Sequence, residues 1–425
     1  MNIAPPRHMF SAFRHRNYRL WAAADFVSVT GTWMQVLGVN WYVLQVTGSA
    51  AHMGVSVLMQ ALPVLLLGSW GGALADRLPG RPVLIATQAT HALLAAALAL
   101  IVAAPSPTLL PVYAISLLSG LVSVIEGPVL GRFAATVVDR VTLSNAVSLG
   151  SIVNSSGRIL GMSAGGLAVA VAGPAPLFAA NAVSFLAVIG ALLALRTDRL
   201  HPLDDPAPGG RRLGGGVRAG FAYLLRQPLV LITLGLAMVL GSLGRNYQVT
   251  MAAMSDGPLA AGAGGYGLLS SAFAVGTVLG GLVAASRPSL CYRTLIGAGL
   301  LTSVLQTTAG IAPGLWTFAA AIVPIAAGAV LIDTTVATRV QLDTHGEMRG
   351  RVLAAAAMAS AAAGAIGAPL LGWLSEWAGP RQTLVFAGIV TALTCVAAGT
   401  AIARRRGVPV RARELRLALA VTLGR

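Results

Sequence analysis

The sequence predicts an all-α integral membrane protein of twelve spans, on three observations. Of its 425 residues 56% are hydrophobic and 10% charged, with a mean hydropathy of +0.78, whereas an average soluble domain carries roughly 25% charged residues. Apolar runs of twenty or more residues, long enough to cross about 30 Å of hydrocarbon, recur from end to end. The basic residues stand almost entirely in the short connectors between those runs.

The runs place helices near 18–43, 51–74, 82–104, 109–131, 147–171 and 176–195, and six more near 228–250, 266–285, 293–312, 316–338, 352–375 and 382–403. An even number of crossings puts both termini on one side. Arginine in short loops resists translocation, so its distribution gives the orientation. With the amino terminus cytoplasmic, 26 of the 29 basic residues fall in inner tails and loops, Arg381 alone falls in an outer loop, and Arg158 and Arg245 fall inside spans. All 29 are arginine, as expected of a GC-rich bacterial genome, which makes the bacterial plasma membrane the expected location. The net charge of +16 excludes a nucleic-acid surface, because the basic residues are spread over loops and do not form one face.

This pattern divides the chain into a cytoplasmic tail (1–17), a six-helix bundle (18–195), a linker (196–227), a second six-helix bundle (228–403) and a basic cytoplasmic tail (404–425). The first sixteen residues contain Arg7, Arg14 and Arg16 but no apolar core, so they are not a signal peptide. The linker holds Pro202, Pro206 and a Gly-rich run from Gly209 to Gly216, then an amphipathic stretch, 217–225, suited to a short surface helix. That Gly run has neither a preceding strand nor a Lys-Ser or Lys-Thr pair, so it is not a phosphate-binding loop. Cys291 and Cys395 have no metal-ligand spacing and read as free, inert thiols. The six histidines form no ligand pair and no nucleophile stands beside a base, so neither a metal, a cofactor nor an enzymatic activity is expected.

Several motifs carry a family likeness. The run Gly71-Gly72-Ala73-Leu74-Ala75-Asp76-Arg77-Leu78-Pro79-Gly80-Arg81-Pro82 follows the second span. It resembles the signature loop of the major facilitator superfamily, with Gly80 and Pro82 where many members have basic residues. The chain further resembles the superfamily's enterobactin-exporter-like branch, also called transmembrane secretion effectors. That likeness rests on Asn17-Tyr18-Arg19-Leu20-Trp21, Gly31-Thr32-Trp33-Met34-Gln35, Thr47-Gly48-Ser49, Ser144-Asn145-Ala146-Val147-Ser148-Leu149 and, late in the chain, Glu347-Met348-Arg349-Gly350-Arg351-Val352. The resemblance implies a major facilitator fold, a small-molecule substrate, alternating access, a monomer, and a conformational switch built on Gly72, Asp76, Arg77, Arg81, Arg349 and Arg351. The fifth span's Gly157, Gly161, Gly165 and Gly166 resemble the small-residue motif of exporters, with Met162 where proline is usual. They serve either as a face on which a helix rocks or as tight packing alone.

Five ionisable residues lie inside spans: Asp25, Glu126, Arg158, Arg245 and Asp333. Each costs ~3 kcal/mol or more there and so demands a partner, water or a task. The resemblance implies that the first, fourth, seventh and tenth spans, which hold four of the five, line a central cavity. At a rise of about 1.5 Å per residue, Asp25, Glu126 and Asp333 each lie roughly 8 to 11 Å from the cytoplasmic end of their span. Asp25 and Glu126 are the candidate proton carriers, or else they neutralise Arg158. Arg158, Arg245, Asp333, Trp33 and Tyr247 are candidate cavity residues. His91 reads as a packed, hydrogen-bonded histidine. The expected function is proton-coupled efflux of a drug-like molecule, natural product or siderophore, with an importer of the same fold or a membrane scaffold or sensor as alternatives.

Overall fold

The computed structural model describes residues 11–75, 77–106, 108–139, 142–201, 224, 226–244, 246–287, 289–344 and 348–406. All regular secondary structure among them is helical. With no water in hydrocarbon, a spanning chain must satisfy its backbone groups internally, and the helix does this segment by segment. In the first half the helices are α1 (Arg16–Thr47), α2 (Ala50–Ala75), α3 (Gly80–Ala103), α4 (Leu110–Thr136), α5 (Leu143–Ala172) and α6 (Ala175–Ala194). The second half has α7 (Pro228–Gly244), α8 (Tyr247–Asp256), α9 (Gly262–Ser286), α10 (Tyr292–Gly310), α11 (Leu315–Leu342), α12 (Arg349–Trp377) and α13 (Pro380–Arg405).

Helices lie over all twelve expected segments. Nine spans among the described residues are long and apolar enough to cross a membrane, with α7 and α8 counted as one. The helices outside that group are α1, α5 and α10. α5 in particular is diluted by Asn145, Ser151, Asn154, Ser155, Ser156 and Arg158. Most of the linker, including all but Leu224 of the expected surface helix, and the tail from 407 onward lie outside the described residues.

The chain resolves into two compact units. Unit 1 comprises 1–211 with 261–271, the first part of α9; unit 2 comprises 212–260 with 272–425. In unit 1, α2 packs on α4, α1 on α5 and α6, and α3 on α4 and α6. In unit 2, α10 packs on α11 and α13, and α7 on α12 and α13. Outward positions stay apolar, as at Trp70, Leu100 and Val171, where lipid is the natural partner.

Glycines set the closest approaches. A Cβ at Gly71 would strike the Val124 carbonyl, and one at Gly120 the Gln60 carbonyl, so α2 and α4 meet backbone to backbone. Turn chemistry also follows local sequence: Gly48 ends α1 at φ 63, and its N–H donates to the Leu44 carbonyl at 2.7 Å.

One expected span is not a single rod. The seventh segment ends its first helix at Gly244 and restarts at Tyr247, with Asn246 at φ -82 and ψ 49. The carbonyls released at this break are taken by side-chain amides. Asn246 Nδ2 donates to Gly241 at 3.2 Å and Ser242 at 3.0 Å, and Gln306 Nε2 donates to Leu243 at 3.0 Å. Asn246→Ala is expected to cost about 1–3 kcal/mol by leaving two carbonyls short of a donor. Thermal unfolding of the purified protein in detergent measures this, and an unchanged midpoint would show that the break is held by something else.

Candidate functional site

The expected ionisable residues of unit 1 lie at two places. On α3 and α4, Glu126 accepts a hydrogen bond from the Gln88 amide through Oε1, and its Oε2 lies 2.8 Å from His91 Nε2. Gln88 and His91 are three residues apart on α3, which puts both on the face turned to α4. The side chains of His91 and Glu126 are only 11% and 15% exposed. The imidazole also stacks on Phe185 of α6, with ring centroids 5.3 Å apart. His91 is therefore packed and hydrogen-bonded, as its sequence context suggests. That its partner is Glu126 is legible only in three dimensions.

The second place is the α1–α5 contact. Gly157, Gly161 and Gly165 recur every four residues and present bare backbone to α1. Added Cβ atoms would press on Val29 and Phe26, on Thr30 and Trp33, and on Met34 respectively. Gly166 meets the backbone of Gly267 in the part of α9 that belongs to this unit. The Arg158 guanidinium lies over the Trp33 ring, 5.5 Å from its centroid, in cation–π contact. Asp25 is half-buried on α1 and makes no hydrogen bond or ion pair to any described residue. Glu126 takes its partners, Gln88 and His91, from α3, in place of the pairing with Arg158 of α5 that the sequence leaves open.

In unit 2, Tyr247 is buried, tilts against Phe273 with centroids 5.4 Å apart, and points its hydroxyl at Gln306 Oε1, 3.5 Å away. With Thr302, Ser303, Gln306 and Thr391 it lines a cavity of about 10 Å³, the size of a single water. This is too small to be a cargo site. Asp333 occupies an exposed position of α11, and Arg245 lies outside the described residues.

Of the expected switch residues, Asp76 and the side chains of Arg349 and Arg351 lie outside the described residues. Arg77 is exposed. Arg81 does structural work: Nε donates to Leu192 at 2.8 Å and Nη2 to Leu193 at 3.1 Å, so the cation caps the carbonyl end of α6. Gly72 stands in open space, and its neighbour Gly71 makes the close approach expected of the pair.

A cluster in unit 2 escaped sequence reasoning. Asp343, just past α11, receives Arg339 Nη2 at 2.7 Å and the Tyr292 hydroxyl at 2.5 Å, with Arg406 at 3.9 Å. Both guanidiniums also sit against the Tyr292 ring, 4.9 and 4.6 Å from its centroid. Burial pushes the Asp343 carboxyl up. The hydrogen bonds from Arg339 and Tyr292, with the charges of Arg339 and Arg406, outweigh it and hold the group below the usual aspartate range. The one sequence signal was the i,i+4 spacing of Arg339 and Asp343 at the end of an apolar run.

An all-helical chain of apolar spans, with close glycine contacts and a few buried charges in each unit, defines a polytopic secondary transporter of the major facilitator type. The transmembrane secretion effector family model matches residues 7–412, and the chain belongs to that family. It is 26% identical over 383 residues to the uncharacterized MFS-type transporter YfiS of Bacillus subtilis, covering 86% of this chain and 88% of that one. To the enterobactin exporter EntS of Shigella flexneri it is 24% identical over 379 residues, covering 86% and 87%. It is 29% identical to the staphyloferrin A transporter of Staphylococcus aureus over 171 residues, which span 39% of this chain and 43% of that protein.

Among solved structures, the nucleoside transporter NupG aligns with a TM-score of 0.70 at 13% identity, covering 91% of this chain and 98% of that one. A bacterial homologue of the iron transporter ferroportin aligns at 0.67 and 15% identity, covering 90% and 98%. At such identities these likenesses speak for the fold alone.

Because its native carboxyl is held below the ordinary range, Asp343 contributes stability that is present above the usual aspartate pKa and lost as pH falls through the lowered value. Asp343→Asn should therefore lower the melting temperature at neutral pH, and the gap from the parent should close in acid. A gap that persists at low pH would assign the loss to packing.

Proposed function

We propose that the chain crosses the bacterial inner membrane twelve times as two six-helix bundles, with both termini cytoplasmic, and exports a small molecule of siderophore type in exchange for protons. The observation that carries the coupling is the pair of acids in unit 1. Asp25 is half-buried and makes no hydrogen bond or ion pair to a described residue, and Glu126, its side chain 15% exposed, stands beside a histidine. A carboxylate withdrawn from water binds a proton more readily, and water reaching it from one side lets the proton go. Alternating access then loads such a group from outside and discharges it inside while cargo moves the other way.

Support for the cargo class comes from the enterobactin exporter and the staphyloferrin A transporter among the relatives. The α1–α5 glycine face supports the moving part, because bare backbone lets two helices slide with little steric change.

Everted membrane vesicles containing the protein test this reading with iron-free enterobactin and staphyloferrin A as cargo. An imposed gradient, acid inside, should drive accumulation, and collapsing it should reduce uptake at least tenfold. Asp25→Asn and Glu126→Gln should each reduce gradient-driven uptake tenfold or more while protein levels hold. Uptake that ignores the gradient would overturn the coupling, and accumulation in the opposite sense would make the protein an importer.

A further inference from the structure

We infer that His91 and Glu126 act as one two-residue proton site, with the imidazole as the second seat of the proton that Glu126 carries. The inference rests on the proton-exchange reading and deepens it. His91 Nε2 and Glu126 Oε2 are 2.8 Å apart, within hydrogen-bond distance, on α3 and α4. Between them one proton has two positions. On Oε2 it leaves a neutral acid beside a neutral imidazole; transferred to Nε2 it leaves a carboxylate beside an imidazolium. Both arrangements have zero net charge, so the transfer moves a proton without placing a net charge in the hydrocarbon. Removing the proton altogether leaves a single negative charge there, so release waits for water or a cationic group to arrive.

The surroundings isolate this pair. The helices packed most extensively on α3 and α4 are α2 and α6, and α1, which carries Asp25, meets α4 where Trp21 tilts on Phe133 with centroids 5.5 Å apart. Asp25 makes no hydrogen bond or ion pair to a described residue. Across α2, α3, α4 and α6 the other titratable side chains are His52, Arg81, Tyr113 and Arg132, and each has its own task. His52 bonds the Tyr113 hydroxyl at 2.8 Å, Arg81 caps α6, and Arg132 donates to the Leu78 carbonyl at 2.9 Å. Gln88 holds Oε1 of the carboxylate while His91 takes Oε2, and Phe185 fixes the plane of the ring. The result is a carboxylate with one oxygen anchored and the other facing the only other group on these helices able to exchange a proton with it.

Infrared difference spectroscopy of the purified protein in lipid, titrated with acid and base, reads the site without cargo or gradient. The parent should show a protonated-carboxyl band, absent in Glu126→Gln, and an imidazolium signal, both weakening together as pH rises through one shared midpoint. In His91→Gln, which keeps an N–H donor but cannot titrate, that imidazolium signal should vanish and the band's pH midpoint should move by a factor of ten or more in proton concentration. His91→Phe preserves the ring stack on Phe185 and should match His91→Gln, which separates loss of the proton seat from loss of packing. A His91→Gln protein that titrates like the parent would reduce His91 to a hydrogen-bond donor and overturn the inference. Because no transport is measured, the titration can fail while gradient-driven uptake stands, and the reverse.

Discussion

Close approach of one backbone to another is the constraint on which this molecule rests. Lipid tails are as apolar as leucine, so burying apolar side chains gives helices in a bilayer little reason to associate, and contact must come from packing. The chain meets that requirement with glycine at the crossing points. Gly71 and Gly120 bring α2 against α4, Gly157, Gly161 and Gly165 bring α5 against α1, and Gly276 and Gly280 bring α9 against α11. At Gly71, Gly120, Gly161, Gly276 and Gly280 a side chain would strike the backbone of a neighbouring helix, and at Gly157 and Gly165 it would press on Val29 and Met34. The polar groups of the site are positioned by these contacts, since Glu126 stands on the helix that Gly71 and Gly120 anchor.

Within that frame the buried charges are handled differently. Arg158 lies on the face of Trp33, whose π-system attracts a cation. Glu126 has an amide and an imidazole. Asp25 has no described partner, which leaves its charge state most open to whatever reaches it. At the membrane edge, where water relieves the cost, the chain uses full ion pairs such as Arg339 with Asp343.

Fold class and helix positions were legible because hydropathy over twenty residues averages away local detail. Eleven of the expected segments are each a single helix with ends displaced by a few residues, and the seventh is two. That interruption was invisible because Arg245-Asn246 reads as polar decoration in an apolar run, while its stabilisation depends on Gln306, sixty residues on. The site was legible only as a roll of ionisable residues. Charge inside a span can be seen in one dimension, but the partner of each charge cannot. Glu126 meets His91 across 35 positions, and Asp343 meets Tyr292 across 51. Nothing in local spacing announces either. Gly71 and Gly72 were indistinguishable as adjacent letters, and only helix rotation decides which faces α4.

The interruption after α7 has a mechanical consequence. α8 is ten residues, about 15 Å at the rise of an α-helix, or half a hydrocarbon core. A continuous rod of 29 residues would pass any tilt from one end to the other. Here the joint is spanned by the amides of Asn246 and Gln306, which can swivel and keep their bonds, so a change in slope need not unzip the ladder of either helix. The cost of bending is thereby concentrated in one or two side-chain rotamers. α8, with nearly all its residues buried, can thereby take its slope from α12 and α13, on which it packs, instead of inheriting it from α7.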